Sequence, residues 1–222
     1  MPQPERPTPG VTLPGADYCL RHEDASFLVV SKPPFMLSVP GKEPGKLDSL
    51  ILRVQREYPE ARIVHRLDWD TSGLLVIARG ARPHAELSRQ FQDRETRKTY
   101  QAMVAGEPQN NEGEIDLPMR VDLDNRPRQI ICHIHGRHAL TRWRVLERLG
   151  ECTRLSLEPV TGRSHQLRLH MQCLGHPILG DTLYAPPEIQ NLSPRLLLHA
   201  ERLGFTHPVS GQPLEFLDPA PF

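Results

Sequence analysis

Six consecutive residues without a polar side chain, Gly73 to Ala78 (GLLVIA), stand between a polar stretch ending in Thr71-Ser72 and the charge of Arg79. A run that does not alternate cannot turn one face to water, and it is too short for an ordinary helix. It reads as a strand buried on both faces, so the chain must build a sheet with cover on each side. Other segments supply the rest of such a fold. Asp24–Ser31 (DASFLVVS) is strand-like and ends in the extended turn forced by Lys32-Pro33-Pro34. Residues 47–57 place Leu47, Leu50, Ile51 and Val54 at helical spacing, with Asp48 as the N-cap. Pro83–Phe91 predicts a second helix with Ala85, Leu87 and Phe91 on its buried stripe, and Leu167–Leu174 a third, after the Gly162-Arg163-Ser164 turn. Strands are expected at Thr99–Ala105, with Tyr100, Ala102 and Val104 on one side, and at 128–135, 141–147 and 153–158. Strands outnumber helices, and short links favour antiparallel pairing. The expected class is α+β around a mixed, mostly antiparallel central sheet with flanking helices.

A chain of 222 residues is the size of one catalytic domain, or of two small lobes around one cleft. Residues 1–16 hold five Pro and two Gly and read as a flexible segment, leaving 17–222 as the folded domain. No run of about 18 apolar residues is present, and the Pro-rich start argues against a secretory signal. Cys19, Cys132, Cys152 and Cys173 form no CxxC pair, so reduced thiols and a cytoplasmic location are expected.

The 27 basic residues balance the 27 acidic ones, which by itself weighs against a nucleic-acid partner. The balance is uneven along the chain. Six Arg fall within 120–144 and five more, with Lys98, within 79–100, whereas 101–118 carries four acidic residues and no basic one. A locally basic face is compatible with zero net charge.

Chemistry-bearing side chains concentrate in two stretches. His65-Arg66-Leu67-Asp68-Trp69-Asp70-Thr71-Ser72-Gly73 sits at the mouth of the buried strand, where Asp68 can serve as nucleophile or base and Asp70 as its partner. The bland reading is a turn capped by Asp68, with Thr71 and Ser72 satisfying loop backbone. In Thr161-Gly162-Arg163-Ser164-His165-Gln166-Leu167-Arg168-Leu169-His170, Arg168 is either a solvated helix residue or a salt-bridge partner for a carboxylate elsewhere, holding that acid ionised. Cys132-His133-Ile134-His135 on a strand would point both His to one face, with further ligands to be sought at Cys152, Cys173 or His176. No spacing supports a closed zinc site, so no metal is expected. Neither a Gly-rich phosphate loop nor a GxSxG elbow occurs.

The string HRLDWDTSG resembles the signature of the RluA-type pseudouridine synthases, which is HRLD, two variable residues, then TSG. VVSKPPFMLSVPG (29–41), RKTYQAMVAG (97–106), TGRSHQLRLHM with LGHPILGDTLYA (161–185) and LLLHAERLGFTHP (196–208) agree with the family in order and spacing. Ser31 stands where the family usually has Asn before Lys-Pro. The resemblance implies the pseudouridine synthase fold with a central active-site cleft, with 17–222 as the catalytic domain and no separate RNA-binding domain. It implies isomerisation of uridine in structured RNA, with a tRNA anticodon stem-loop and a 23S rRNA stem-loop as expected partners. No cofactor or metal is implied, since the reaction is redox-neutral, and a monomer is expected. Asp68 matches the family's nucleophile, Tyr100 the tyrosine that packs on the target base, and Arg168 the basic residue paired with the nucleophile. Leu167 matches the apolar contact to uracil and Arg66 the arginine that fills the vacated stack, with His65 and Thr71 counted among the RNA-contacting residues. Attack at C1′, elimination to a glycal and addition at C6 are all open to such a carboxylate. Two competing readings are a glycoside hydrolase using Asp68 and Asp70, and a non-catalytic RNA-binding module of the same fold.

Overall fold

The structure, a computed structural model, describes residues 18–222, so the Pro-rich segment 1–16 lies outside the described residues. Along the chain come β1 (Cys19–Glu23), β2 (Phe27–Lys32), α1 (Leu50–Val54), β3 (Ala61–Ile63), β4 (Ser72–Arg79) and α2 (Ala81–Gln92). They are followed by β5 (Arg97–Ala105), β6 (Glu112–Asp116), β7 (Met119–Val121), β8 (Gln129–Ile131), β9 (Leu140–Arg148) and β10 (Cys152–Pro159). Then come α3 (Gln166–Cys173), α4 (Pro187–Gln190), β11 (Leu198–Thr206) and β12 (Pro213–Leu217). The chain divides into two compact units. One runs as far as Lys98 and takes in His199–Pro221; the other is Thr99–Leu198 with Phe222.

In the first unit the apolar run is the middle strand, as its composition demands. β4 pairs antiparallel with β2 from Phe27↔Ala78 to Lys32↔Gly73, and with β3 from Ala61↔Arg79 to Ile63↔Ile77. It pairs parallel with β11 at His199↔Ser72 and Ala200↔Gly73, which makes the sheet mixed. β1 continues the sheet beyond β2, and β12 beyond β11. Residues 72–78 are all buried. Leu74, Val76 and Ala78 pack with Phe27, Val29, Leu87, Leu203 and Phe205, and Leu75 and Ile77 on the other face are equally closed off. Gly73 has φ +112°, and a Cβ there would lie 2.4 Å from the Ala200 carbonyl oxygen, so only glycine admits β11 this close.

Two details of the expected helices change. α1 is shorter than 47–57 and its N-cap is Ser49, not Asp48. Asp48 instead takes a two-pronged hydrogen bond from Arg53, at 2.9 and 2.6 Å, a side-chain pairing that outcompetes capping. In α2 the buried positions are Leu87 and Gln90, whereas Ala85 is exposed. Gln90 is drawn inward by two bonds to the backbone of Thr206, an attraction that hydrophobic spacing cannot register.

In the second unit β5, β10, β9 and β6 form antiparallel neighbours in that order. α3 covers them through Leu167 and Met171, which join Ala102, Val104, Trp143, Leu155 and Leu157 in one core. Leu169 on its other side packs with Met119, Ala139 and Tyr184. The expected strand 128–135 is corrected. β8 stops at Ile131, and 133–135 form a turn closed by Gly136 N–H to Cys132 O at 2.8 Å. His133 and His135 therefore do not share a strand face. Among the described residues no group of three or more His, Cys, Asp or Glu stands close enough to hold a metal ion. All four Cys are free thiols. Among the described residues, no helix is long and apolar enough to cross a membrane.

Part of the charge imbalance is answered locally. β6 brings Glu114 to 2.7 Å from Arg142, and Asp116 to 3.1 Å from His138. Arg89 is ringed by Glu86, Asp93 and Glu95, and Arg79 by Glu23 and Glu60. Arg126, Arg137 and Arg144 remain exposed.

Candidate active site

The signature string forms a loop that enters β4, and its backbone is clamped on both sides of Asp68. On one side the buried Ser38 hydroxyl donates to the Leu67 carbonyl at 2.8 Å and accepts the Leu67 N–H at 3.1 Å. On the other, the fully buried Lys32 ammonium donates to the carbonyls of Pro33, Met36 and Trp69, at 2.8, 2.9 and 3.3 Å. Phe35, at φ +62°, sets its ring 5.1 Å from that of Trp69. The Lys-Pro-Pro turn thus braces both neighbours of Asp68. Thr71 N–H closes the turn onto the Asp68 carbonyl at 3.2 Å, and Ser72 Oγ meets His199 Nδ1 at 2.9 Å where β4 and β11 run parallel. His199 is in turn held by Asp218, through its carbonyl at 2.9 Å.

The RNA-contacting residues expected here divide by exposure. Arg66 is exposed, Asp68 is half-buried and Thr71 is 2% exposed. His65 has its Nε2 at 3.1 Å from the Val76 N–H, one position beyond the last β3 pair, where no ladder partner follows. Its ring stacks on Phe91 at 4.2 Å, and Lys98 lies over the same Phe91 ring. Burial first, and then the nearby Lys98 charge, push the His65 pKa down to about 3, so the ring is a neutral acceptor.

In the second unit, Tyr100 and Leu167 come together. Both pack at the cluster that includes Ala102 and Leu157, with Tyr100 opposite Leu157 in the β5–β10 register. Arg168 is not a solvated helix residue: it is 1% exposed and forms a two-pronged pair with Asp181, Nε–Oδ2 at 2.9 Å and Nη2–Oδ1 at 2.6 Å. Asp181 Oδ1 also accepts the N–H groups of Leu183 and Tyr184, so one carboxylate shapes the turn and fixes the guanidinium. α3 begins at Gln166, whose amide bonds Leu140 O and Thr141 Oγ1, and His170 Nδ1 meets the same hydroxyl at 2.9 Å. Asp181, Ser38 and Tyr184 are functional residues that no sequence pattern singled out. The GD pair at 180–181 and the SVPG turn, both inside the matching stretches, were signals for the first two; Tyr184 had none.

Residues 26–173 match the family described as RNA pseudouridylate synthase. The chain belongs to the RNA pseudouridylate synthase family and is an enzyme that isomerises uridine in RNA. It is 50% identical over 202 residues to the dual-specificity RNA pseudouridine synthase RluA of Pasteurella multocida and to that of Escherichia coli K12, covering 90% of this chain and 92% of each relative. Its fold is similar to human RNA Pseudouridylate Synthase Domain Containing 1, at TM-score 0.79 and 29% identity, covering 95% of this chain and 87% of that one. The expected α+β pseudouridine synthase fold stands on the same likeness.

Proposed function

We propose that the chain converts uridine to pseudouridine in structured RNA loops, a tRNA anticodon stem-loop and a 23S rRNA stem-loop being its substrates, with Asp68 as the essential carboxylate. The observation that carries this reading is the double clamp on Asp68, through Leu67 and Trp69, in a loop that carries the full signature. A group that must attack one carbon gains from being held still before the substrate arrives. The reaction breaks the N1–C1′ bond with its electron pair left on N1, turns the base, joins C5 to C1′ and moves the C5 proton to N1. Atoms and electrons balance within uridine, and the enzyme acts as a cytoplasmic monomer without cofactor or metal.

Each residue then has a task. Arg168, oriented by Asp181, is the basic residue that the family resemblance assigns to the nucleophile. Tyr100 packs on the detached base and takes the C5 proton, and Leu167 supplies the apolar wall that keeps water from the cleaved intermediate. Arg66, exposed on the loop, fills the stack left by the flipped nucleotide. His65 and Thr71 serve the RNA indirectly, by fixing the loop that presents Arg66 and Asp68. The 17–222 segment supplies the whole catalytic domain. Of the competing readings, the hydrolase does not account for membership of this family, and the intact HRLDWDTSG signature argues against a non-catalytic binding module.

Asp68→Asn decides the assignment. With anticodon stem-loop and 23S stem-loop transcripts, the variant is expected to form no pseudouridine while binding RNA within about threefold of the parent. Retained product formation overturns the role of Asp68, and release of free uracil by the parent would favour hydrolysis. Tyr100→Phe is expected to keep base packing and to slow proton removal, read as slower appearance of product in a single turnover.

A further inference from the structure

The β7–β8 hairpin and α3 meet at one side chain. Tyr184, 3% exposed, carries the Arg128 guanidinium 5.5 Å from its ring centroid and the Arg168 guanidinium at the same distance. Its hydroxyl accepts the Gln129 N–H at 2.7 Å and is hydrogen-bonded to His165 Nδ1 at 2.9 Å. Gln129 opens β8. His165 immediately precedes α3 and sits at φ +55°, in the left-handed region that a β-carbon disfavours, so this bond helps hold the helix entry. Asp181, which grips Arg168, also accepts the Tyr184 backbone N–H at 3.1 Å. The hydrogen bonds of this set are all 3.1 Å or shorter, and most of its residues are buried.

In the hairpin connection Asp122 is engaged by the Asp124 N–H and the Asn125 amide, and Asp124 and Arg126 are both exposed. The 122–128 connection exposes Arg126, with Leu123 at 64% exposure beside it, and Arg137 is exposed on the following segment. Leu123 and Val121 are poorly placed for solvent but suited to contact a base.

We propose that Tyr184 is a positioning residue for the isomerisation, coupling the arginine-bearing β7–β8 hairpin to Arg168. Substrate phosphates drawn to the hairpin load Arg128 and Gln129. The shared ring and hydroxyl pass that constraint to His165 and to the buried Arg168 guanidinium. The inference rests on the roles assigned above to Asp68 and Arg168.

Tyr184→Phe keeps the ring and removes the hydroxyl; Tyr184→Leu removes both; Arg128→Gln removes the cation on the hairpin side. The readouts are the single-turnover rate at saturating anticodon stem-loop transcript, the Kd for the same RNA, and the melting midpoint. Tyr184→Phe is expected to slow the saturating rate about tenfold with Kd within about twofold, a loss of kcat rather than of binding. Tyr184→Leu is expected to slow it about a hundredfold, as a misplaced catalytic group does. In the Arg128→Gln and Tyr184→Phe double variant, the two losses are expected to overlap rather than multiply, because both cut one path. Multiplied losses would overturn the coupling, as would a full rate per folded molecule in Tyr184→Phe accompanied only by a lower melting midpoint. Should Tyr184→Leu not fold, the other two variants carry the test. An inert Asp68→Asn alongside a fully active Tyr184→Phe sinks this proposal alone, whereas an active Asp68→Asn sinks the reading beneath it.

Discussion

The loop that presents Asp68 and the helix that presents Arg168 are held by different physics. Around Asp68, Ser38, Lys32 and His65 all act on peptide groups: the Leu67 N–H and carbonyl, the Trp69 carbonyl, and the Val76 N–H. Side chains from distant positions have replaced the ladder that an irregular loop lacks. Around Arg168 the restraint is a charge pair with no exposed surface, Arg168 at 1% and Asp181 at 0%. A peptide clamp fixes where the backbone runs and leaves the Asp68 side chain half open. A buried pair fixes the side chain itself, and is intolerant of losing either partner.

That contrast can be broken at four points. The largest effect is expected from Asp181→Ala, which removes the two-pronged partner of a buried guanidinium and the acceptor of two backbone N–H groups. A loss of about 3–5 kcal/mol should appear in urea unfolding. A midpoint unchanged from the parent would show that the pair is not the anchor of α3. Ser38→Ala removes two hydrogen bonds at once, and about 2 kcal/mol of stability should go with them. Because the loosened peptide is next to Asp68, the saturating rate should fall more than RNA affinity does; equal falls would make Ser38 a support of the fold alone.

His65 sharpens the comparison through pH. Its folded pKa lies near 3, below the value near 6.5 of an unfolded His. Between those values the unfolded chain binds a proton that the folded chain refuses. This part of the stability is therefore complete above about pH 6.5 and drains away as pH falls toward 3. Roughly 1 kcal/mol should be lost between pH 7.5 and 5.5 from this residue, and His65→Gln should flatten that slope. An unaltered slope in the variant would place the pH sensitivity elsewhere, with the buried His170, whose pKa burial also lowers, the next to try. The smallest effect belongs to Arg89→Ala. Its three carboxylate partners are about as exposed as it is, and screened surface pairs of this kind add little. Its melting curve should overlay the parent's; a clear drop would mean that the Arg89 network does more than solvate α2.

These contrasts also mark how far the residues alone could be read. GLLVIA announced the central strand of the first unit because a run without polar side chains has one stable home. Alternation over 99–105 announced most of β5, down to the side shared by Tyr100, Ala102 and Val104. The signature string named the loop and its aspartate, and the Arg-rich blocks kept RNA in play against a net charge of zero. These are local properties, carried by period, composition and motif within a dozen residues. The clamp on Leu67 joins positions 29 apart. Gln90 is buried for the sake of Thr206, 116 positions away, and Ser72 meets His199 across 127. Arg168 in isolation looked like a solvated helix residue, and became a buried ion because the 180–184 turn delivers Asp181 to it. Tyr184, silent in the sequence, lies under two guanidinium groups. Hydrogen bonds and ion pairs reach only about 3 Å and leave no periodic trace along the chain. Which polar groups meet is therefore settled when the sheets and α3 pack, and that packing turns a legible motif into an oriented site.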